Sequence, residues 1–213
     1  MARQIILGSQ SPRRFELLQS VVPSERIRVV SPKNEDEAGF ADCANHIQIE
    51  ERLQQIVSVK LLDVRSQLDW PSEAEQEICT VCADTIVVAS QENDLPIVLG
   101  KPPSKDWQLT VRDWFLQYYH RQAHEVWTCF AIDDFRGREF HVVKTRVTFA
   151  EVDDWWIDWY LATEEPVGKA GGYGIQGHAA ALVDSVRGSL TNVIGLPVFE
   201  LTNAFRRLKL IVD

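Results

Sequence analysis

The amino-acid sequence predicts a mixed α/β protein, a twisted sheet flanked by helices, and three observations carry that reading. Short β-branched runs alternate along the chain with longer stretches whose apolar residues recur at helical spacing. No internal repeat, low-complexity linker or shift in composition interrupts the alternation, so residues 1–213 read as a single domain. Hydrophobic residues make up 45% and charged residues 25%, the balance of an ordinary globular chain, which removes the disordered and fibrous classes.

Taken in order, residues 4–7 are a short apolar strand, and Ser11 with Pro12 supplies the N-cap and first-turn signals of a helix reaching about Ser20. Residues 28–30 form a second strand that stops at Ser31 and Pro32, and the polar residues 33–42 form a loop. A long helix over 45–68 carries Ile49, Leu53, Ile56, Val57, Leu61, Val64 and Leu68 at helical spacing. After a loop at 70–76 comes a strand over 78–89. A turn at Asn93 and Asp94 and a short strand over 97–99 lead into Gly100, Lys101, Pro102 and Pro103. A helix over 105–119 presents Trp107, Val111, Trp114, Phe115 and Tyr118 on one face. Residues 125–132 and 139–149 read as a hairpin around 133–138, and Pro166 bars the continuation of a helix over 153–162. Beyond a glycine-rich segment, residues 180–186 read as a strand and 197–209 as a closing helix.

Charge and cysteine usage narrow the function classes. There are 22 Lys and Arg against 31 Asp and Glu, a formal net charge of −9, which argues against nucleic acid or an anionic membrane as a partner. No apolar run approaches the roughly 18 residues of a membrane span, and residues 1–7 reach the polar Gly8, Ser9 and Gln10 too soon for a signal peptide, so a cytoplasmic protein is expected. Cys43, Cys79, Cys82 and Cys129 are too few and too irregular for a disulfide framework. Cys79 and Cys82 spell CxxC, but on a strand residues three apart face opposite ways, so they are expected as separate reduced thiols.

Four features are candidates for chemistry. At residues 7–14 a strand breaks at Gly8 and turns at once into a capped helix bearing Arg13 and Arg14; the pair is either ordinary surface charge or half of an anion site, since cations there oppose the helix dipole. Lys60 lies about 20° from Leu53 on a helical wheel, inside the apolar stripe, where an ammonium must snorkel out or meet an anion. Asp84 interrupts an apolar strand beside Thr85 and is either a water-facing position or a base, metal ligand or charge partner. Five of the 11 glycines fall within residues 168–177, a density that suits a structural turn cluster or a close backbone approach to a ligand, with Gln176 offering both a donor and an acceptor.

These segments together resemble the Maf proteins, nucleotide pyrophosphatases of the inosine triphosphatase-like fold with a cleft between two lobes. The resemblance runs in order through Ser9-Gln10-Ser11-Pro12-Arg13-Arg14, Ala83-Asp84-Thr85, Leu99-Gly100-Lys101-Pro102, Glu165-Pro166 with residues 169–177, and residues 192–197. The form of residues 169–177 is similar to that of the branch acting on dTTP and UTP. The chain departs from the family's usual pattern at Leu61 and at Cys129 and Phe130. What the resemblance implies is a nucleoside triphosphate diphosphatase that yields a nucleoside monophosphate and pyrophosphate, in a house-cleaning role connected with cell-division arrest. It implies Asp84 as proton acceptor. Arg13, Thr85 and Gln176 fall at positions associated with substrate selection, and Ser9, Arg14, Lys60 and Lys101 at positions that hold the triphosphate. A divalent cation, Mg²⁺ first and Mn²⁺ second, would be held by Asp84 and by an acid of the loop after the second strand, Glu35, with Asp36 and Glu37 beside it. A homodimer is compatible with this reading. Two other readings stay open at this point: a purine enzyme acting on inosine or xanthosine triphosphate, and a division regulator that senses nucleotides without hydrolysing them.

Overall fold

A computed structural model of the chain describes residues 3–33, 39–68, 78–91, 93–120 and 122–211. Among the described residues seven strands form one mixed sheet: β1 (Gln4–Gly8), β2 (Ile27–Val29), β3 (Ile78–Ser90), β4 (Pro96–Leu99), β5 (Ala123–Asp134), β6 (Gly137–Phe149) and β7 (Val183–Arg187). The order is β2-β1-β3-β5-β6-β7, with β4 also pairing β3. Strands β2 and β3 run parallel to β1, and the pairings of β3 with β4, β3 with β5, β5 with β6 and β6 with β7 are antiparallel. Helices α1 (Pro12–Gln19), α2 (His46–Ser66), α3 (Trp107–Trp114), α4 (Asp154–Leu161), α5 (Leu190–Ile194) and α6 (Val198–Arg207) flank it.

Strand β3 organises the molecule. Its side chains alternate between the faces, as the pleat requires. Cys79, Val81 and Ala83 pack with Ile5, Leu7, Leu18 of α1 and Leu201 and Phe205 of α6. Further along the same face, Val87 and Ala89 pack with Val111 of α3, Phe115, Tyr119 and Ile157 and Tyr160 of α4. On the opposite face, Cys82, Ile86 and Val88 meet Leu53, Val57, Leu61 and Val64 of α2. Each large apolar side chain sealed in this way contributes about 1.5–3 kcal/mol. The CxxC cysteines therefore lie in different layers, and Cys79, Cys82 and Cys129 are buried free thiols.

One edge of β3 is forked. Strand β1 pairs it from Ile78 to Cys82, and β4 pairs it from Val87 to Ser90. Residues 83–86 between them have no described strand partner on that edge, although β5 continues along the other. Asp84 and Thr85 stand in this gap, and the two apolar clusters of one face close on either side of it. The expected division into two lobes thus arises from a split in a single sheet.

Local signals set most boundaries. Ser11, Asn45, Asp153 and Ser189 cap their helices by accepting from the backbone N–H three residues on. Helix α3 begins at Trp107 rather than 105 because Asp106 is in the left-handed region, with φ 58°, and a π-helical turn over Phe115–Tyr119 completes the expected span. Two elements differ from the sequence expectation. Residues 180–182 belong to a 3₁₀ turn, His178–Leu182, because the Ala180 N–H is taken by the Gly177 carbonyl at 3.1 Å, so β7 starts at Val183. The five-residue α5 was not expected, being too short to show periodicity. The loop acid Glu35, with Asp36 and Glu37, lies outside the described residues, as does the loop at 70–76.

Candidate active site

At the fork the strands and helices enclose an 810 Å³ cleft. Ser9, Arg13, Arg14, Lys60, Asp84, Thr85 and Lys101 all line it. Gln176 lines an adjoining 260 Å³ pocket that shares Arg13, Lys169, Tyr173, Val193 and Ile194 with the cleft. Eight of the nine expected site residues therefore gather in one basin; the ninth, Glu35, is not described.

The turn at Gly8 is a packing requirement. A Cβ at Gly8 would lie 2.3 Å from Cys82 Sγ and 2.9 Å from Val64 Cγ2, so glycine lets the end of β1 sit against β3 and α2. The chain then reverses into α1, where Ser9 Oγ accepts from the Ser11 N–H at 3.1 Å. Arg14 projects back across the cleft. Its Nε donates to the Gly195 carbonyl at 2.9 Å, one terminal nitrogen to Ser9 Oγ at 3.3 Å and the other to Thr85 Oγ1 at 3.1 Å. Thr128 Oγ1 donates to the Asn192 carbonyl at 3.1 Å and lies 2.9 Å from Thr85 Oγ1. A hydroxyl has one proton, so Thr85 must donate to Thr128 while accepting from Arg14. A directed chain thus runs from α1 through β3 and β5 to α5, with Asn192 fully buried and donating to the Val126 carbonyl at 2.9 Å.

Lys60 meets an anion rather than snorkelling. Its Nζ lies 2.6 Å from Asp84 Oδ1, and the two side chains are 12% and 13% exposed. A carboxylate offers about four lone-pair directions, so this bond leaves Asp84 able to accept further protons or donors. The neighbouring thiols are inert: burial pushes Cys82 up to about 12, against Lys60 and Arg14, and burial together with Asp84 pushes Cys129 up to about 12.

Of the charged residues described in the cleft lining, Arg13, Arg14, Lys60, Lys101 and Lys169 are cationic and Asp84 is acidic. Lys169 was not singled out from sequence, although its place beside the glycines was the available signal. Burial lowers its ammonium below the usual range, against the pull of Glu165 and with Arg13 adding to the lowering. The glycine-rich segment is fastened by buried side chains. Tyr119 donates to the Gly171 carbonyl at 2.6 Å, Tyr160 to the Gly172 carbonyl at 3.1 Å, and Tyr173 Oη lies 2.7 Å from His124 Nε2. Burial depresses His124 to about 3, so it stays neutral.

A forked α/β sheet opening on a cationic cleft with one strand-borne carboxylate suits a small polyanion. Residues 4–208 match the Maf-like protein family, and the chain belongs to it. It is 38% identical over 199 residues to the dTTP/UTP pyrophosphatase of Symbiobacterium thermophilum, covering 92% of this chain and 89% of that protein. The dTTP/UTP pyrophosphatase of Anaeromyxobacter dehalogenans is 36% identical over 211 residues, 97% of this chain and 95% of the relative. That of Pelotomaculum thermopropionicum is 30% identical over 207 residues, 96% of each. A solved structure, the nucleoside-triphosphatase / dITP/XTP pyrophosphatase from Mycobacterium abscessus, aligns over 96% of this chain and 98% of that one at 14% identity and a TM-score of 0.44.

Proposed function

We propose that the chain is a nucleoside triphosphate pyrophosphatase that hydrolyses the α–β phosphoanhydride of dTTP and UTP to the monophosphate and pyrophosphate. The observation that carries the mechanism is the Lys60–Asp84 pair at 2.6 Å in the fork of the sheet, at the centre of a cationic cleft. Asp84 accepts a proton from a water that attacks the α-phosphorus, the bond from that phosphorus to the bridging oxygen breaks, and pyrophosphate leaves with the electron pair. Lys60, bonded to Oδ1 at 2.6 Å, orients the carboxylate for this task. Arg13, Arg14, Lys101 and Lys169 with Lys60 offset the charge of the phosphates and the leaving group, the usual dominant contribution in phosphoryl chemistry. Ser9 and Thr85, tied together by Arg14, shape the wall beside the phosphates, and Gln176 reads the base from the adjoining pocket.

Among the described residues Asp84 is the one carboxylate in the cleft lining, a hard oxygen donor of the kind a divalent cation takes. Mg²⁺ is commonly held by one or two carboxylates with substrate phosphate oxygens, and Asp84 supplies an oxygen donor among phosphate-binding cations. Asp84 and Glu35 would hold Mg²⁺, or Mn²⁺ in its place. When bound, the ion neutralises phosphate charge and lowers the pKa of a coordinated water.

Residues 1–213 are proposed to act as one domain, since Arg14 near one end reaches Gly195, 181 residues later, to close the cleft. No helix among the described residues is long and apolar enough to cross a membrane. Work on free nucleotides in the cytoplasm, without nucleic acid as a partner, suits this reading and the net charge of −9. The test is pyrophosphate release, measured with inorganic pyrophosphatase and a phosphate dye over dTTP, UTP, GTP, ITP and XTP. Wild-type protein turns over dTTP and UTP best, and Asp84→Asn loses about 10²–10⁴-fold in kcat with an unchanged circular dichroism spectrum. Near-normal release by Asp84→Asn would remove it as the base.

A further inference from the structure

Gln176 stands on a single turn, closed by the Gly177 N–H donating to the Gly174 carbonyl at 3.0 Å, with no strand or helix of its own. Such a turn reads a ligand only if both its legs are held. The leg before it is fastened at Gly171, Gly172 and Tyr173 by Tyr119, Tyr160 and His124. The leg after it is fastened by Glu165. Glu165 Oε2 accepts from the His178 backbone N–H at 2.6 Å and lies 2.9 Å from His178 Nδ1, while Oε1 accepts from the Ala179 N–H at 3.5 Å and from Tyr160 Oη at 3.4 Å. The backbone carbonyl of Glu165 accepts from Lys169 Nζ, so one residue clasps both ends of residues 169–178.

The fit is close. The Glu165 side chain is 10% exposed, and a Cβ on Gly177 would lie 2.1 Å from its Oε2 and 2.5 Å from its Cδ. Burial raises the carboxyl pKa, but the His178 and Ala179 N–H groups, the His178 ring and Lys169 outweigh it, so the group is ionised at neutral pH. Glu165 also borders the pocket that contains Gln176.

We infer that Glu165 is a positioning residue for nucleotide selection, fixing where Gln176 presents its carboxamide. The inference rests on the proposed base-reading role of Gln176. It is tested with Glu165→Gln, Gln176→Ala and the double variant, measuring kcat and KM for dTTP, UTP and GTP, and the Kd of their α,β-methylene analogues. Expected for Glu165→Gln is a KM for dTTP and UTP raised about tenfold, with kcat within about threefold and a smaller change for GTP. In the Gln176→Ala background the same substitution leaves the ranking of nucleotides unmoved. An equal loss for every nucleotide in both backgrounds, or an unchanged ranking in the wild-type background, overturns the inference.

Gly177→Ala is the second lever should Glu165→Gln fail to fold. With φ −107° the backbone at Gly177 lies outside the left-handed region, and the three atoms nearest an added carbon all belong to the Glu165 carboxylate. It should reproduce the selective change in KM, and an unaltered ranking would count against the clasp. Absence of wild-type turnover with dTTP and UTP refutes the proposed reaction, while the analogue affinities still decide the role of Glu165.

Discussion

Lys60 and Asp84 are each other's charge partner. From sequence each was an anomaly, a lysine in an apolar stripe and an aspartate in an apolar strand; the structure makes the two anomalies one ion pair at 2.6 Å. What the residue patterns could not show was the distance, because α2 and β3 are joined through residues that carry no pairing signal. Another buried residue gives a test at this scale. His124 is 1% exposed and depressed from 6.5 to about 3 by burial, with Nδ1 lacking a described partner. Below pH 6.5 the unfolded chain takes up a proton here while the folded chain refuses it until about pH 3. Stability therefore falls with pH through that window, by about 1.4 kcal/mol per unit at most, and is insensitive to this group above it. His124→Gln should lose about 2 kcal/mol less than wild type between pH 6.5 and 4.5, read from urea midpoints at each pH. Parallel curves for the two proteins would show that His124 does not govern the acid response.

At the scale of elements, the glycine-rich segment behaves as a fitted part. Gly171 has φ 66°, and a Cβ there would lie 2.5 Å from Val87 Cγ2 and 2.7 Å from Tyr119 Oη. Gly168 also has a positive φ, 74°, but a Cβ there meets nothing within 4 Å. Gly171→Ala is therefore expected to cost about 2–4 kcal/mol and Gly168→Ala about 1 kcal/mol, a difference that guanidinium denaturation resolves. The strands β1, β3, β5 and β6 and helices α2 and α4 were legible because their patterning is long or their caps are explicit. The sequence pattern places the start of strand β7 three residues early, since apolar alanines in a 3₁₀ turn look like strand residues. The clasp by Glu165 is illegible for another reason: it combines backbone N–H groups, which every sequence contains, with Tyr160, Lys169 and the His178 ring, whose approach to it the residue pattern does not show.

For the molecule as a whole, charge is divided by position. The chain carries −9, yet five cations and one acid are the charged residues described in the cleft lining. Binding in that cleft should weaken as salt screens it, with a Debye length of about 10 Å at 0.1 M. The KM for UTP is expected to rise severalfold between 0.05 and 0.5 M KCl (roughly one Debye length's contraction by threefold) with kcat nearly constant, while duplex DNA at equal phosphate concentration does not compete. Inhibition by DNA would mean that the acidic exterior fails to exclude extended polyanions. That Ser9, Lys60, Asp84 and Lys101 line one cleft agrees with their being singled out one by one in the sequence, whereas Thr128 and Asn192 are tied to its wall only through the fold. Strand β3, which borders the cleft, also threads both layers of the molecule. Cys79 is sealed beneath α1 and α6, and Cys82 beneath α2, both protonated by burial. A thiol reagent reaches the first only when the layer of α1 and α6 parts and the second only when the helix bearing Lys60 lifts. Two cysteines three residues apart are thus separate gauges of local opening, one for each side of the sheet.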